Sequence, residues 1–230
     1  MDIILMSGLW LDATVWDDVA RNLEGTGHRA VPLTLPGQGD GNAEATLADQ
    51  IAAAAAAVDA ADGEPFLVGH SASSALAWLV ADARPDQVAG VGMIGGIPGQ
   101  DGSPYADFFP IQDGTMPFPG WEPFAGPDSA DLDEATKEHV ALNAIPVPAG
   151  VAQARVELTD PRRYDVPVVL FCPEFSVEQA EQWIGAGDVP ELAKATDLRF
   201  VDIDSGHWPM LSAPAELARL LARAADDLAR

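Results

Sequence analysis

A chain of 230 residues allows one ordinary domain or a compact pair, and 48% apolar against 21% charged residues describes a globular protein with a sizeable core. Its 12 basic against 36 acidic residues leave a net charge of −24, a field that repels phosphate backbones and anionic lipid headgroups, so neither nucleic acid nor a membrane surface is an expected partner. The single cysteine, Cys172, excludes an intrachain disulfide and a CxxC pair, the four histidines show no metal-ligand spacing, and no cofactor is expected.

The chain opens on an apolar run, residues 3–6, with no basic segment before it. Neither this run nor the alanines at 52–57, flanked by Asp49 and Asp59, is long enough for a signal peptide or membrane span, and a reducing, cytoplasmic setting is expected. Short apolar segments at 2–6, 29–34, 65–69, 88–94, 166–172 and 198–203 read as strands. Helical patterns at 13–24, 47–60, 72–83, 177–186 and 213–229 alternate with them. This alternation predicts an α/β fold: a mostly parallel, doubly wound sheet of about six strands with right-handed crossovers.

Residues 97–164 break the rhythm. Ten of the 19 prolines fall there, beside Tyr105, Phe108, Phe109, Phe118, Trp121 and Phe124. Helices are expected at 131–143 and 151–158, so the segment reads as a small helical lid inserted into a core made of residues 1–96 and 165–230.

In such a sheet, functional groups gather where loops leave the carboxyl ends of the strands. After the third strand stands Gly69-His70-Ser71-Ala72-Ser73, leading into an alanine-rich helix. A sharp strand-to-helix turn there exposes the Ser71 hydroxyl at a helix amino terminus, the address of a nucleophile rather than of a plain N-cap. A serine needs a base, and imidazole suits that task near neutral pH. Among His28, His70, His139 and His207, only His207 follows the last strand, in Asp204-Ser205-Gly206-His207-Trp208-Pro209, at the same edge as Ser71. The acid that orients the base is expected after the penultimate strand, where Glu174 is the nearest carboxylate; Asp101, Asp204 and Glu178 stay open as alternatives. Oxyanion donors are expected from the Ala72 amide and from the Leu9 amide in the loop Met6-Ser7-Gly8-Leu9-Trp10, with Trp10 bordering the site.

With these residues in place, the chain resembles the α/β-hydrolase superfamily, and within it the small bacterial serine-hydrolase-like members. The resemblance rests on residues 5–16, on the elbow, and on residues 164–221 with Cys172-Pro173-Glu174-Phe175, Gln182-Trp183-Ile184 and Gly206-His207-Trp208-Pro209. It implies Ser71 as nucleophile, His207 as base, and Leu9 and Ala72 as oxyanion donors. Two departures stand out: Ser7 replaces the histidine common in that superfamily's oxyanion loop, and Phe175 or Ser176 stands where an aspartate often serves as acid.

The function expected is cofactor-independent hydrolysis of a small, largely apolar ester or related acyl compound by a serine esterase. The alternatives are acyl transfer, perhydrolysis or lysis on the same fold, or ligand binding with weak turnover. A small-molecule substrate is the expected partner, and the sequence leaves the oligomeric state, a homodimer included, undecided.

Overall fold

The computed structural model describes residues 1–230. Six parallel strands form the central sheet: β1 (Asp2–Met6), β2 (Arg29–Leu33), β3 (Phe66–His70), β4 (Gly90–Ile94), β7 (Val168–Cys172) and β8 (Leu198–Asp202). Their spatial order is β2-β1-β3-β4-β7-β8. A separate two-residue pair, β5 (Thr115–Met116) and β6 (Val147–Pro148), runs antiparallel within the insertion.

The central strands are apolar on both faces because helices cover both. Ile3 and Leu5 of β1 point into one core with Phe66, Val68, Val169 and Phe171; Ile4 and Met6 point into the other with Leu67, Val168 and Leu170. Helices α1 (Asp17–Leu23) and α7 (Pro214–Leu228) pack together on the first face, and α2 (Leu47–Asp59) and α3 (Ser73–Ala83) on the second. Pro32, which cannot donate to a ladder, is tolerated because β2 is an edge strand. No helix is long and apolar enough to cross a membrane.

The chain steps from β1 to β2 in one direction and returns to β3 on the other side. The loops after β1 and β3 therefore part at the sheet's topological switch point, and a crevice opens between them at the carboxyl edge.

Several expected elements differ. The helix at 13–24 is divided: Asp12 accepts from the Thr14 amide at 2.9 Å and caps a 3-10 turn, Ala13–Trp16, that precedes α1. The helix at 131–143 starts later, as α4 (Glu134–Asn143), because Asp133 caps it by accepting from Thr136 N–H at 2.8 Å. The helix at 151–158 is absent. Only α5 (Ala149–Ala152) forms; beyond it Tyr105 N–H donates to Ala154 at 2.8 Å and Val156 N–H to Ser103 at 2.9 Å. Buried, β-branched Val156 gains more from this extended pairing than from a helical turn.

The insertion returns to the core through a buried charge network. The Asp82 carboxylate on α3 accepts from the Thr159 and Asp160 amides, and Arg163 bridges Asp82 at 3.1 Å and Glu191 at 3.0 Å. Glu191 also accepts from Trp78 Nε1 at 3.1 Å and from the Tyr164 hydroxyl at 3.0 Å; burial alone would raise its carboxyl, but Arg163, Trp78 and Tyr164 together hold it below the usual range.

Candidate active site

Strand β3 ends at His70, and the chain turns at Ser71 with φ 54°, a left-handed conformation that costs a non-glycine residue roughly 1 kcal/mol or more. The turn is held on both sides: Ser71 N–H donates to Ile94 at 2.8 Å, and Ser74 N–H to Ser71 at 2.9 Å. It is tight enough that a side-chain carbon at Gly69 would collide with the Ser73 carbonyl, which makes glycine obligatory two residues before the serine. Helix α3 begins with Ala72 at its cap and no side-chain capping bond, so Ser71 is not used as an N-cap. Ser73, where a last glycine stands in G-x-S-x-G, donates its hydroxyl to the Ser7 carbonyl at 2.6 Å and ties α3 to the loop after β1.

That loop is buried and braced. Ser7 Oγ lies 3.1 Å from the Leu11 carbonyl and 3.2 Å from Gln38 Oε1, while Gln38 Nε2 donates to the Gly8 carbonyl at 3.2 Å. The Leu9 and Ala72 amides are left without a backbone acceptor. Trp10, at φ 65°, donates its indole N–H to Met116 at 3.2 Å and accepts from Ile145 N–H at 2.9 Å, so the insertion grips the loop directly. Its ring meets Phe109, Phe118 and Phe124 at 5.5 to 6.0 Å, forming part of an aromatic wall.

The loop after β8 carries His207 to the same edge. Its Nδ1 lies 2.6 Å from Glu174 Oε1, in the loop after β7. A side-chain carbon at Gly95, just after β4, would sit 3.1 Å from both His207 Nδ1 and Glu174 Oε2, and one at Gly96 would strike the Ser71 carbonyl. Ser71, His207 and Glu174 thus converge on residues 94–96. In this resting arrangement the ring of His207 bonds to Glu174 and not directly to the Ser71 hydroxyl. Such bonds often tighten only when substrate is bound.

The other carboxylates considered lie elsewhere. Asp101 accepts from Leu158 N–H at 2.9 Å, Asp204 is exposed, and exposed Glu178 faces Gln182 at 3.4 Å. Ser176 caps α6 (Val177–Ala186) in a reciprocal pair with Gln179, which explains why a carboxylate there is dispensable to the local fold. His28 pairs with Asp226 at 3.2 Å, and His139 lines a different cleft of about 830 Å³ between the 3-10 turn, α1 and α4.

Three contacts around His207 leave no signal in the sequence. Asp131 Oδ2 accepts from Gly206 N–H at 2.7 Å, and the Asp128 carbonyl accepts from His207 N–H at 2.7 Å, so the insertion fastens the histidine loop. Burial, and next the charge of Glu174, raise the Asp128 carboxyl above its ordinary value, with His207 opposing. His70 also reaches His207, through its backbone carbonyl. No spacing rule links 128 or 131 to 207. The thiol of Cys172, at the end of β7, is pushed up to about 12 by burial and nearby carboxylates, and is inert at neutral pH.

Ser71 and Ala72 open onto a cavity of about 360 Å³, lined also by Gly95, Ile97, Tyr105 and Phe108. Its size suits a small ligand. Burial pushes the Tyr105 phenol up, so it stays protonated.

A strand-turn-helix serine, a histidine from the last loop and a parallel sheet with a reversed connection define one class of protein. Residues 3–220 match the model of the alpha/beta hydrolase family, and the chain belongs to that family. Among solved structures it is similar to an extracellular alpha/beta-hydrolase from a Paenibacillus species, at 20% identity and TM-score 0.79 over 97% of this chain and 98% of that one. It is also similar to a pyrethroid hydrolase from Sphingobium faniae, at 20% identity and TM-score 0.70 over 98% and 97% of the two chains. A third is polyneuridine aldehyde esterase, at 18% identity and TM-score 0.73 over 97% and 98%. At these identities the likeness is one of fold. A search of curated protein sequences finds no relative.

Proposed function

We propose that this protein is a serine hydrolase that cleaves a small, largely apolar ester through an acyl-enzyme. Ser71 is the nucleophile, His207 the base, Glu174 the acid that orients it, and the Leu9 and Ala72 amides the oxyanion donors. The observation that carries this reading is the 2.6 Å contact between His207 Nδ1 and Glu174 Oε1, at the same edge of the sheet where Ser71 turns at φ 54°. With Nδ1 donating to the carboxylate, Nε2 carries the lone pair and is free to accept a proton.

In the first half-reaction His207 Nε2 takes the Ser71 proton as Oγ attacks the ester carbonyl, and the oxygen that becomes negative is held by the two unpaired amides. Glu174 stabilises the imidazolium. The C–O bond to the alcohol then breaks as His207 returns its proton to the leaving oxygen. Water repeats the sequence in the second half, releasing the acid and restoring the serine. Residues 97–164, with their aromatic wall over Trp10, serve as the cap that shapes the acyl or alcohol pocket. The hydrogen-bonded His207–Glu174 pair favours turnover over a binding-only role, and Ile97, Tyr105 and Phe108 on the cavity beside Ser71 favour an apolar portion on the substrate.

The test is a panel of esters varying acyl length and alcohol size, run on wild type and Ser71→Ala. Wild type is expected to prefer short apolar esters, and Ser71→Ala to lose at least ~10³-fold in kcat. Undiminished hydrolysis by Ser71→Ala refutes the reading. Alcohols or peroxide added as competing acceptors separate hydrolysis from transfer.

A further inference from the structure

His70, the residue before Ser71, is a fully enclosed imidazole, 1% exposed, whose two nitrogens meet opposite fates. Nε2 lies 2.8 Å from the His207 backbone carbonyl. A carbonyl oxygen only accepts, so Nε2 carries the hydrogen and Nδ1 the bare lone pair. Nδ1 is buried with no partner, facing Gly8, where a side-chain carbon would come within 2.8 Å of it. Leaving a buried acceptor unpaired is costly, and an apolar side chain of similar bulk would avoid it. What the apolar side chain would lack is the donor to His207.

That donor completes a three-point hold. His207 is fixed at its amide by the Asp128 carbonyl, at its ring by Glu174, and at its carbonyl by His70. Only the last contact comes from the nucleophile's own strand. The two imidazole rings are 5.0 Å apart, tilted at 54°. Burial, and then the proximity of His207, hold His70 well below the ordinary imidazole value, so it adds no charge that would oppose an imidazolium at His207.

We infer that His70 is a positioning residue: through its Nε2–H bond to the His207 carbonyl, it sets the base loop at a fixed distance from Ser71. This rests on the reading of Ser71 and His207 as nucleophile and base. It acts through His207 and does not touch the substrate, so its loss should lower kcat and leave KM alone.

The experiment pairs His70→Leu, which keeps bulk and removes the donor, with His70→Gln, whose amide nitrogen reaches near the position of Nε2. Both are assayed on the best ester of the panel, with folded fraction measured by thermal melting. His70→Leu is expected to lose about 10-fold to 100-fold in kcat with KM within about twofold, and His70→Gln to recover at least about 10-fold of that loss. Equal loss in both variants, or kcat unchanged per folded molecule, overturns the inference. Histidine 15N spectroscopy of the wild type reads the contact without any turnover: His70 should remain neutral with its hydrogen on Nε2 between pH 8 and 5.5. A hydrogen on Nδ1, or an ordinary titration, overturns it as well. An inactive wild type with the expected His70 spectrum would instead count against the esterase reading while leaving the contact intact.

Discussion

The serine turn and the histidine loop meet at one edge of the sheet but are built in opposite ways. Ser71 is held by its neighbours in sequence: Gly69 admits the Ser73 carbonyl, Ser74 N–H closes the turn, and α3 starts at once. Of its immediate supports only the Ile94 carbonyl is distant. His207 is held almost wholly from afar, by Glu174, Asp128, His70 and, through Gly206, Asp131. A strained serine turn can therefore be carried by a short motif, whereas the placement of the histidine depends on the rest of the fold being right.

The comparison is sharpest at Glu174. Glu174→Gln leaves the shape of the loop and removes the charge that faces His207 Nδ1. Turnover should fall ~10² to 10⁴-fold, equivalent to about 3–5 kcal/mol, with the melting temperature nearly unchanged. Steady-state kinetics decide it; activity within threefold of wild type would move the acid elsewhere.

The local side breaks differently. Gly69→Ala drives a methyl group into the Ser73 carbonyl, and urea unfolding should report a loss on the order of 4 kcal/mol. A loss under about 1 kcal/mol would mean that strand and helix can separate without penalty.

Asp131 offers a smaller lever on the distant side. Asp131→Ala removes the acceptor for Gly206 N–H, and kcat is expected to drop about 5-fold to 20-fold at constant KM, whereas Asp131→Asn, which keeps an acceptor oxygen, should restore most of it. Failure of Asn to rescue would separate the insertion from the placement of His207.

The smallest effect is on stability. Because His70 is held below its unfolded value near 6.5, the unfolded chain binds the extra proton first as pH falls. Its contribution is fully present above that value and is lost as the pH drops toward the folded one. Melting temperature should decline from pH 7.5 to 5.5, and His70→Gln should flatten the decline. An unchanged slope would assign the effect to other groups.

The same contrast explains what could be read from the sequence. Parallel strands announce themselves by short apolar runs, and the elbow by a glycine, a serine and a helix within five positions. Glu174 is the nearest carboxylate after the end of β7 in the sequence, and its Oε1 lies 2.6 Å from His207 Nδ1 in the fold. Residues 151–158 misled because their helical pattern is overridden by pairing with residues 102–106, a tertiary contact that no local propensity encodes. Asp128 and Asp131 left no signal, since proximity to His207 comes only from the path of the insertion. His70 was visible as a letter, but its orphaned Nδ1 and bonded Nε2 exist only in three dimensions.

Whether Ser71 owes its reactivity to His207 is read from the rate of phosphonylation by a fluorophosphonate probe in wild type and His207→Ala, with the adduct mapped by mass spectrometry. One adduct is expected, on Ser71, formed at least ~10²-fold more slowly in His207→Ala. Modification of a different residue, or equal rates in the two proteins, would contradict it.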